Sequence, residues 1–384
     1  MTDPTPLRVA VDCSLLSSRN GGLGRYLRAL LPRMMVNTGD EIEWYLYARS
    51  VSACAKLPDP ARLRQDHLPV HPGRILSPIL SLPYWCWLDK PDAFWAPAHR
   101  LPLWLPASTA GVVTIHDLAW ARAPETLRHS TRLLDRNLMG HSVACAERVI
   151  SVSEATAGDI ATRWPKAQPR ISVIHGAAEA LPPPGPLADI NPQLKKGGYF
   201  LFVGTPEPRK NLPRLLEGYA RASKTQRNLP PLVIAGGHGW GGENLRALIN
   251  QQELNGRIHL LGSVPDTQLA TLYANALCLV MPSLYEGFGL PIVEALQAGL
   301  PVITSNTASM PEVAGPAGLL IDPLNTSSIA VGLQRIAQDS SLRTQLANAA
   351  GTQASRFCWD RAAEQTLAVL REAASAKRKT SSRN

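Results

Sequence analysis

The chain has 384 residues, of which 45% are hydrophobic and 18% charged, and its formal net charge is +9. This composition excludes disorder throughout. The length predicts two domains first, because a usual domain has about 100–200 residues, with one large barrel as the alternative. No window reaches the ~18–20 uninterrupted apolar residues of a membrane span, and residues 1–4 lack the basic and apolar regions of a signal peptide. We therefore expect a cytoplasmic protein.

The charge pattern argues against a nucleic-acid partner, and the cysteine pattern argues against a metal ion. The positive charge is spread over both halves of the chain and forms no basic stripe, which argues against nucleic acid. Residues 376–384 are predicted to be a disordered basic tail, although such a segment beside an anionic membrane gains about 1 kcal/mol per charge. The six cysteines form no C-x-x-C pair, and no cluster has metal-ligand spacing, so we expect reduced thiols and no metal ion.

Short apolar runs alternate with helical stretches along the chain, which is the pattern of a mainly parallel α/β sheet. The runs predict strands at 8–11, 42–47, 111–115, 149–152, 171–174, 199–203, 232–235, 258–261, 277–281, 302–304 and 318–321. A Pro- and Gly-rich segment at 181–198 predicts a linker between two doubly wound domains, 1–180 and 199–356. Two such Rossmann-like domains would face each other across a cleft, with ligands at the carboxyl ends of the strands.

The turn with the most chemical content follows the strand predicted at 277–281. It is rich in glycine and leads into a helix, so its backbone amides crowd a positive helix N-terminus that suits an anion such as a diphosphate. The amides belong to Gly287, Phe288, Gly289 and Leu290. Glu286 and Glu294 beside an anion would repel it unless they address uncharged neighbours, so sugar hydroxyls are their expected partners. Each carboxylate alone is also typical of a helix N-terminus.

Two other turns and one strand end carry polar groups. Arg209 and Lys210 precede a helix that Asn211 is predicted to cap, and two cations there would neutralise a diphosphate. Gly22 lies in a glycine-rich turn after the first strand, and His116 follows the strand at 111–115. Taken singly, the cationic turn is typical of a solvated loop, and a lone histidine is usually packed or at the surface.

In chain order, the motifs resemble those of family 4 retaining glycosyltransferases of the GT-B fold, and they cover nearly the whole chain. They are G-G-L-G-R-Y at 21–26, T-I-H-D-L at 114–118, V-S-E-A-T at 152–156, V-G-T-P-E-P-R-K-N at 203–211, E-x7-E at 286–294, P-V-I-T-S-N at 301–306, P-E-V-A-G at 311–315 and F-C-W-D-R at 357–361. The resemblance implies an acceptor-side first domain, a nucleotide-sugar-binding second domain, and a helix at 357–375 that crosses back to the first domain.

The resemblance assigns roles to residues of the second domain. It implies that Arg209 and Lys210 bind the donor diphosphate and balance the charge on the leaving nucleotide, although Thr205 stands where many relatives have an arginine. Glu286 would hold hydroxyls of the donor sugar, and Glu294 would hold the ribose. The amides at 287–290 would touch the sugar and the phosphate.

Two residues of the first domain also receive roles from the resemblance. His116 would reach the donor sugar from the opposite domain, and Gly22 would let the first loop approach the phosphates. Breaking an anomeric C–O bond leaves negative charge on the diphosphate, which cations and helix N-termini stabilise without a metal ion or other cofactor. No D-x-D string occurs. The retaining outcome is implied by the resemblance only.

The donor predicted first is GDP-mannose or a GDP-deoxymannose such as GDP-rhamnose. The reason is that two motif variants, P-R-K-N and L-Y-E-G-F-G-L-P, look most like those of bacterial mannosyl- and rhamnosyltransferases. Those enzymes synthesise surface polysaccharides, lipopolysaccharide included. A UDP-glucose or UDP-N-acetylhexosamine enzyme of the same fold is the alternative. An inactive GT-B-like binding protein is a second alternative. A dinucleotide oxidoreductase is disfavoured because Leu27 occupies the position of the third fingerprint glycine.

The acceptor is predicted to be a saccharide, and a polyprenyl diphosphate carrier would bring the enzyme to the cytoplasmic face of the inner membrane as a peripheral protein. A segment rich in tryptophan fits several surroundings: core packing, the lining of an acceptor cleft, or an edge that dips into a membrane. Its tryptophans are Trp85, Trp87, Trp95 and Trp104.

Overall fold

The structure is a computed structural model that describes residues 5–381 apart from 18–21, 56, 59–60, 66–72, 128 and 238–244. The chain forms two compact units, each with its own parallel sheet. The first comprises 1–120, 129–176 and 358–384, and the second comprises 121–128 and 177–357. The predicted α/β class with two Rossmann-like domains is confirmed.

The first unit is built around a seven-stranded parallel sheet. Its strands are β1 (Leu7–Asp12), β2 (Ile42–Ala48), β3 (Ala61–Gln65), β4 (Ala93–Ala96), β5 (Ala110–Ile115), β6 (Arg148–Ser151) and β7 (Ile171–Val173). Their order in the sheet is β3-β2-β1-β4-β5-β6-β7. The helices are α1 (Gly22–Thr38), α2 (Gly73–Asp89), α4 (His129–Cys145) and α5 (Glu154–Arg163), and a short α3 (Ala119–Arg122) lies where the chain passes between units.

The second unit is built around a six-stranded parallel sheet. Its strands are β8 (Phe200–Val203), β9 (Leu232–Ala235), β10 (Ile258–Gly262), β11 (Cys278–Met281), β12 (Val302–Ser305) and β13 (Gly318–Ile321), in the order β10-β9-β8-β11-β12-β13. The helices are α6 (Leu212–Thr225), α7 (Leu245–Gln251), α8 (Asp266–Asn275), α9 (Leu290–Gln297), α10 (Met310–Ala314), α11 (Thr326–Gln338) and α12 (Ser340–Ala354). The sheet order reverses between β8 and β11, so the turns after these strands lie at a switch point where ligands bind in this class of fold.

The last helix, α13 (Trp359–Ser381), belongs to the first unit, where it packs against α1, β4 and β5. Lys377 bonds to Glu147 at 2.7 Å, and Arg378 bonds to Asp92 at 2.8 Å. The prediction of a disordered tail is therefore wrong for residues 376–381, which belong to α13, because acidic residues directly before β6 and β4 hold these cations. Residues 382–384 lie outside the described residues.

The sequence pattern predicted most of the strands correctly, but its prediction of a linker at 181–198 was wrong. All the predicted strands are present, and β3 and β4 are additional. The segment 181–198, predicted to be a linker, is part of the second unit. Its Gly185 N–H donates to Thr271 Oγ1, and its Gly197 N–H donates to the Asn275 oxygen, both at 2.8 Å, so the segment is fastened to α8. No helix in the described part of the chain is long and apolar enough to span a bilayer.

Candidate active site

The centre of the candidate site is a cluster of one carboxylate and two cations in the second unit. Lys210 Nζ donates to Glu286 Oε1 at 2.7 Å, and Arg209 Nη1 donates to Glu286 Oε2. Arg209 also donates to the backbone oxygen of Tyr285 at 3.0 Å. Glu286 is 7% exposed and Lys210 is 8% exposed. Arg209 Nη2 also lies 3.4 Å from Glu207 Oε2. Three predicted site residues thus form one group, in which two cations meet the carboxylates of Glu286 and Glu207.

The ionisation of Glu286 follows from this cluster. Burial alone would raise the pKa of its carboxyl group, but the charges of Arg209 and Lys210 outweigh that effect and lower the pKa to about 2. Glu286 therefore stays ionised near neutral pH. The carboxylate holds both cations in fixed positions. Guanidinium and ammonium groups are the side-chain groups that bind phosphates in proteins.

The turn after β8 places the two cations. Gly204 follows the strand with φ +146°, and a Cβ at this position would lie 3.4 Å from Lys210 Cε, so the backbone passes close to the lysine stem. Asn211 has φ 61°, and its side-chain amide donates to the backbone oxygens of Pro282 and Pro323 at 3.0 and 2.7 Å. Asn211 is the N-cap residue of α6, as predicted, but its side chain makes no capping hydrogen bond. Its Oδ1 instead accepts from Arg214 at 3.0 Å, and its amide joins the turns that follow β11 and β13.

Buried hydroxyl groups hold the loop that carries Glu286. Thr304 Oγ1 donates to the Met281 oxygen at 2.9 Å, and Ser305 Oγ donates to the Ser283 oxygen at 2.6 Å. Ser309 Oγ lies 2.9 and 2.8 Å from the oxygens of residues 286 and 288. The sequence reasoning missed these hydroxyls. Single serines and threonines carry no spacing signal, and their partners lie more than 20 positions away.

The predicted anion cradle lies at the start of α9. Gly289 has φ +104°, a backbone conformation that glycine adopts readily, and α9 begins at the next residue. Glu294 projects from this helix, is 6% exposed, and accepts a 2.8 Å hydrogen bond from the Tyr273 hydroxyl. The structure therefore keeps Glu286, the cradle and Glu294 on one short stretch of the second unit. Tyr273 is a partner of Glu294 that the sequence did not reveal.

His116 and Gly22 belong to the first unit. His116 follows β5, and its Nε2 lies 2.7 Å from the Pro97 oxygen, so the neutral ring donates through Nε2–H. The ring meets Tyr26 edge-on, with centroids 4.7 Å apart. Gly22 is the first residue of α1, and the glycine-rich turn before it lies outside the described residues.

Protonation of His116 is disfavoured by its surroundings. Burial, with a further contribution from neighbouring His99, lowers the pKa of His116 from 6.5 to about 3, against opposing effects of the Pro97 hydrogen bond and of Asp117. The unfolded chain therefore binds a proton below pH 6.5 that the folded chain does not bind until about pH 3. Stability that is present above pH 6.5 is lost as the pH falls through this window.

We expect a His116→Gln variant to lose less stability than the parent chain on acidification. Each neutral buried histidine costs up to about 1.4 kcal/mol of unfolding free energy per pH unit below its unfolded pKa, and glutamine does not titrate. Urea unfolding of both proteins at pH 7 and pH 5 measures the difference. Identical losses in the two proteins would contradict the burial of a neutral His116.

No group of three or more histidine, cysteine, aspartate or glutamate residues within the described ranges could hold a metal ion. Arg209 and Lys210 are the cations that contact Glu286 in the described part of the site. A parallel sheet with cations and a helix N-terminus at its switch point is an architecture that suits a ligand with phosphate groups.

Solved structures have the same fold. WaaG, a glycosyltransferase involved in lipopolysaccharide biosynthesis, matches with a TM-score of 0.72 and 18% identity, over 94% of this chain and 99% of that one. Sucrose-phosphate synthase of Thermosynechococcus elongatus matches with a TM-score of 0.72 and 19% identity, over 96% and 100% of the two chains. At these identities the likeness shows the fold, which is GT-B.

Sequence relatives identify the family. A family model described as glycosyl transferases group 1 matches residues 188–353. O-antigen chain mannosyltransferase B of Escherichia coli is 33% identical over 90% of this chain and 94% of that protein. O-antigen chain mannosyltransferase RfbU of Salmonella typhimurium is 27% identical over 59% and 60% of the two chains. The chain belongs to the group 1 glycosyltransferases, as the motifs predicted.

Proposed function

We propose that this glycosyltransferase moves a mannosyl or deoxymannosyl group, such as rhamnosyl, from a GDP-sugar to a saccharide acceptor in the synthesis of lipopolysaccharide or another surface polysaccharide. The names of the relatives support mannose and O-antigen chains. The observation that supports transfer from a nucleotide-sugar is the cluster of Glu286, Arg209 and Lys210. Glu286 directly precedes the anion cradle at the start of α9.

In the proposed reaction, the bond between the anomeric carbon and the diphosphate oxygen breaks, and an acceptor hydroxyl oxygen forms the new bond to that carbon. The hydroxyl proton passes to the departing diphosphate. Negative charge then develops on the diphosphate, where Lys210, Arg209 and the cradle amides stabilise it, and these fixed charges do the work of a metal ion. Positive charge develops on the sugar, beside the ionised Glu286. Retention of the anomeric configuration is supported by the resemblance to family 4 alone.

We propose that the carboxylate of Glu294, which accepts a hydrogen bond from the Tyr273 hydroxyl, binds the ribose of the donor nucleotide. Glu294→Gln should weaken the affinity for a nucleoside diphosphate about 10–100-fold, because a hydrogen bond to a charged group is worth about 1.5–3 kcal/mol. Calorimetric titration with GDP measures this Kd, and Glu253→Gln, at an exposed position of the same unit, is the control. Equal affinities would remove Glu294 from nucleotide binding.

For the first unit, we propose that His116 contacts the donor sugar and that Gly22 gives the first loop room beside the phosphates. The support for both roles is the resemblance. Since the His116 Nε2–H donates to Pro97, its Nδ1 remains the acceptor for a sugar hydroxyl. A neutral imidazole adds no repulsion to a sugar that becomes positively charged.

A thermal-shift panel of GDP, UDP, ADP and dTDP decides the donor base, because a ligand that binds only the native state stabilises by RT ln(1 + [L]/Kd). We expect GDP to give the largest shift. UDP-sugar transfer is the second candidate, since the likeness includes Anabaena HepE in complex with UDP and glucose, with a TM-score of 0.70 and 19% identity. Radiolabelled GDP-mannose consumption, with or without acceptor, separates an enzyme from an inactive binding protein.

We further propose that the chain works at the cytoplasmic face of the inner membrane, on an acceptor carried by a polyprenyl diphosphate. One face of α2 supports this: Tyr84, Trp87 and Leu88 lie three and four positions apart and are 43%, 60% and 46% exposed. Trp95 of the same segment is fully buried in β4 and belongs to the core instead. Exposed aromatic residues on a helix are typical of an interfacial contact, and the net charge of +9 suits an anionic surface.

A Trp87→Ser, Leu88→Ser double variant should bind less to vesicles of phosphatidylethanolamine and phosphatidylglycerol. Flotation through a density gradient measures the bound fraction, which we expect to fall at least about three-fold, because two apolar side chains lose their contact with lipid. Val331→Ser is the control, since Val331 is 52% exposed on the second unit. If the double variant floats like the parent chain, α2 is not the docking face.

A further inference from the structure

Ser309 lies behind the loop that joins Glu286 to the anion cradle. It has no exposed surface, and its Oγ is 2.9 Å from the oxygen of Glu286 and 2.8 Å from the oxygen of Phe288. Ser309 directly precedes α10, but its side chain makes no capping hydrogen bond to that helix. The hydroxyl group therefore serves the loop, which lies 21 to 23 positions earlier in the chain.

These two contacts determine the direction of two backbone N–H groups. In a planar trans peptide, the C=O and the N–H of one unit point in opposite directions. The oxygens of Glu286 and Phe288 both point at Ser309, so the N–H groups of Gly287 and Gly289 both point away from it. These two N–H groups lie next to the N-terminus of α9, which begins at Leu290, and a helix N-terminus favours an anion.

We propose that Ser309 is a positioning residue, which turns the N–H groups of Gly287 and Gly289 toward the terminal phosphate of the donor diphosphate. The inference rests on the proposed function, and it adds a group that no motif marks. One hydroxyl proton is shared by two carbonyl oxygens, so Ser309 couples the orientation of two peptide units. Its loss releases both of them together.

The chain provides a matched control in Ser305. Its hydroxyl is also fully buried and donates to a carbonyl oxygen of the same loop, that of Ser283, at 2.6 Å. Ser283 lies before Glu286, so this bond holds the loop but does not set the peptide units of the cradle. Each variant removes one buried hydroxyl group. Ser309→Ala takes a donor from two carbonyl oxygens and Ser305→Ala takes one from a single oxygen, so the stability of each variant is measured beside its affinities.

The experiment compares the full-length Ser309→Ala, Ser309→Gly and Ser305→Ala variants. It measures the unfolding midpoint, kcat with GDP-mannose, and Kd for GDP and for GMP by calorimetry. For both Ser309 variants we expect kcat to fall about 10–100-fold, somewhat less than the loss of a whole oxyanion donor. The affinity for GDP should fall at least about ten-fold, whereas that for GMP, which lacks the terminal phosphate, should change less than about three-fold. Ser305→Ala, which loosens the same loop at Ser283, should change the affinities for GDP and GMP by similar factors and leave their ratio unchanged.

Two different failures can be told apart. If Glu286→Gln retains full kcat, the proposed function of the cluster fails, whatever Ser309 does. If Glu286→Gln is impaired but Ser309→Ala matches Ser305→Ala in kcat and in the ratio of GDP to GMP affinity, the positioning role of Ser309 is overturned. Equal losses of GDP and GMP affinity would also overturn it, because a loop that is merely loosened does not discriminate between the two nucleotides.

Discussion

Replacing Lys210 by alanine is expected to lower kcat/KM with GDP-mannose about 30–1000-fold, which corresponds to about 2–4 kcal/mol of barrier. The ammonium group is fixed 2.7 Å from Glu286 before the donor arrives, so it stabilises the leaving diphosphate without reorganisation. Initial rates at several donor concentrations measure this loss. The fold should persist because Glu286 keeps its bond to Arg209.

The control for this variant is Lys196→Ala, which removes an exposed lysine of the same unit. Its kcat/KM should equal that of the parent chain. A thermal melt of each protein shows whether a lost activity reflects unfolding. A Lys210→Ala protein that melts normally and transfers sugar at the parental rate would exclude Lys210 from leaving-group stabilisation.

Glu286→Gln is expected to separate binding from transfer. Glutamine keeps the size of the side chain but removes the negative charge beside the sugar, so kcat should fall at least about 100-fold, as for the loss of one preorganised electrostatic group. Arg209 and Lys210 lose the carboxylate that neutralises part of their charge, so the affinity for GDP should stay equal or increase. Transfer assays and calorimetry measure the two effects.

A fall in kcat without a fall in GDP affinity distinguishes a role of Glu286 in sugar transfer from a role in folding. A role in folding alone would weaken both, because a disordered loop would lose the cradle as well as the carboxylate. If GDP affinity falls in parallel with kcat, Glu286 acts as a structural partner of the two cations and has no separate part in sugar transfer.

Much of the fold could be predicted from sequence because a parallel sheet covered on both faces is made of short apolar runs. Such apolar runs predicted all six strands of the second unit, β8 to β13. The strand β4 was missed because its four residues lie in a segment rich in proline and tryptophan, which looks equally suited to a surface. Only the central position of β4 between β1 and β5 shows that Trp95 is core.

The sequence by itself determined which chemical groups stand at the ends of the strands: two cations after β8, and a carboxylate with glycines after β11. Local chain chemistry suffices for this, because glycine, proline and strand length set where each turn occurs. Only the tertiary structure decided that Arg209 and Lys210 bond to Glu286, and that Tyr273 and Ser309 support the site. These contacts join groups far apart in the chain, and they form because buried polar atoms must find partners wherever the packed sheet brings them together.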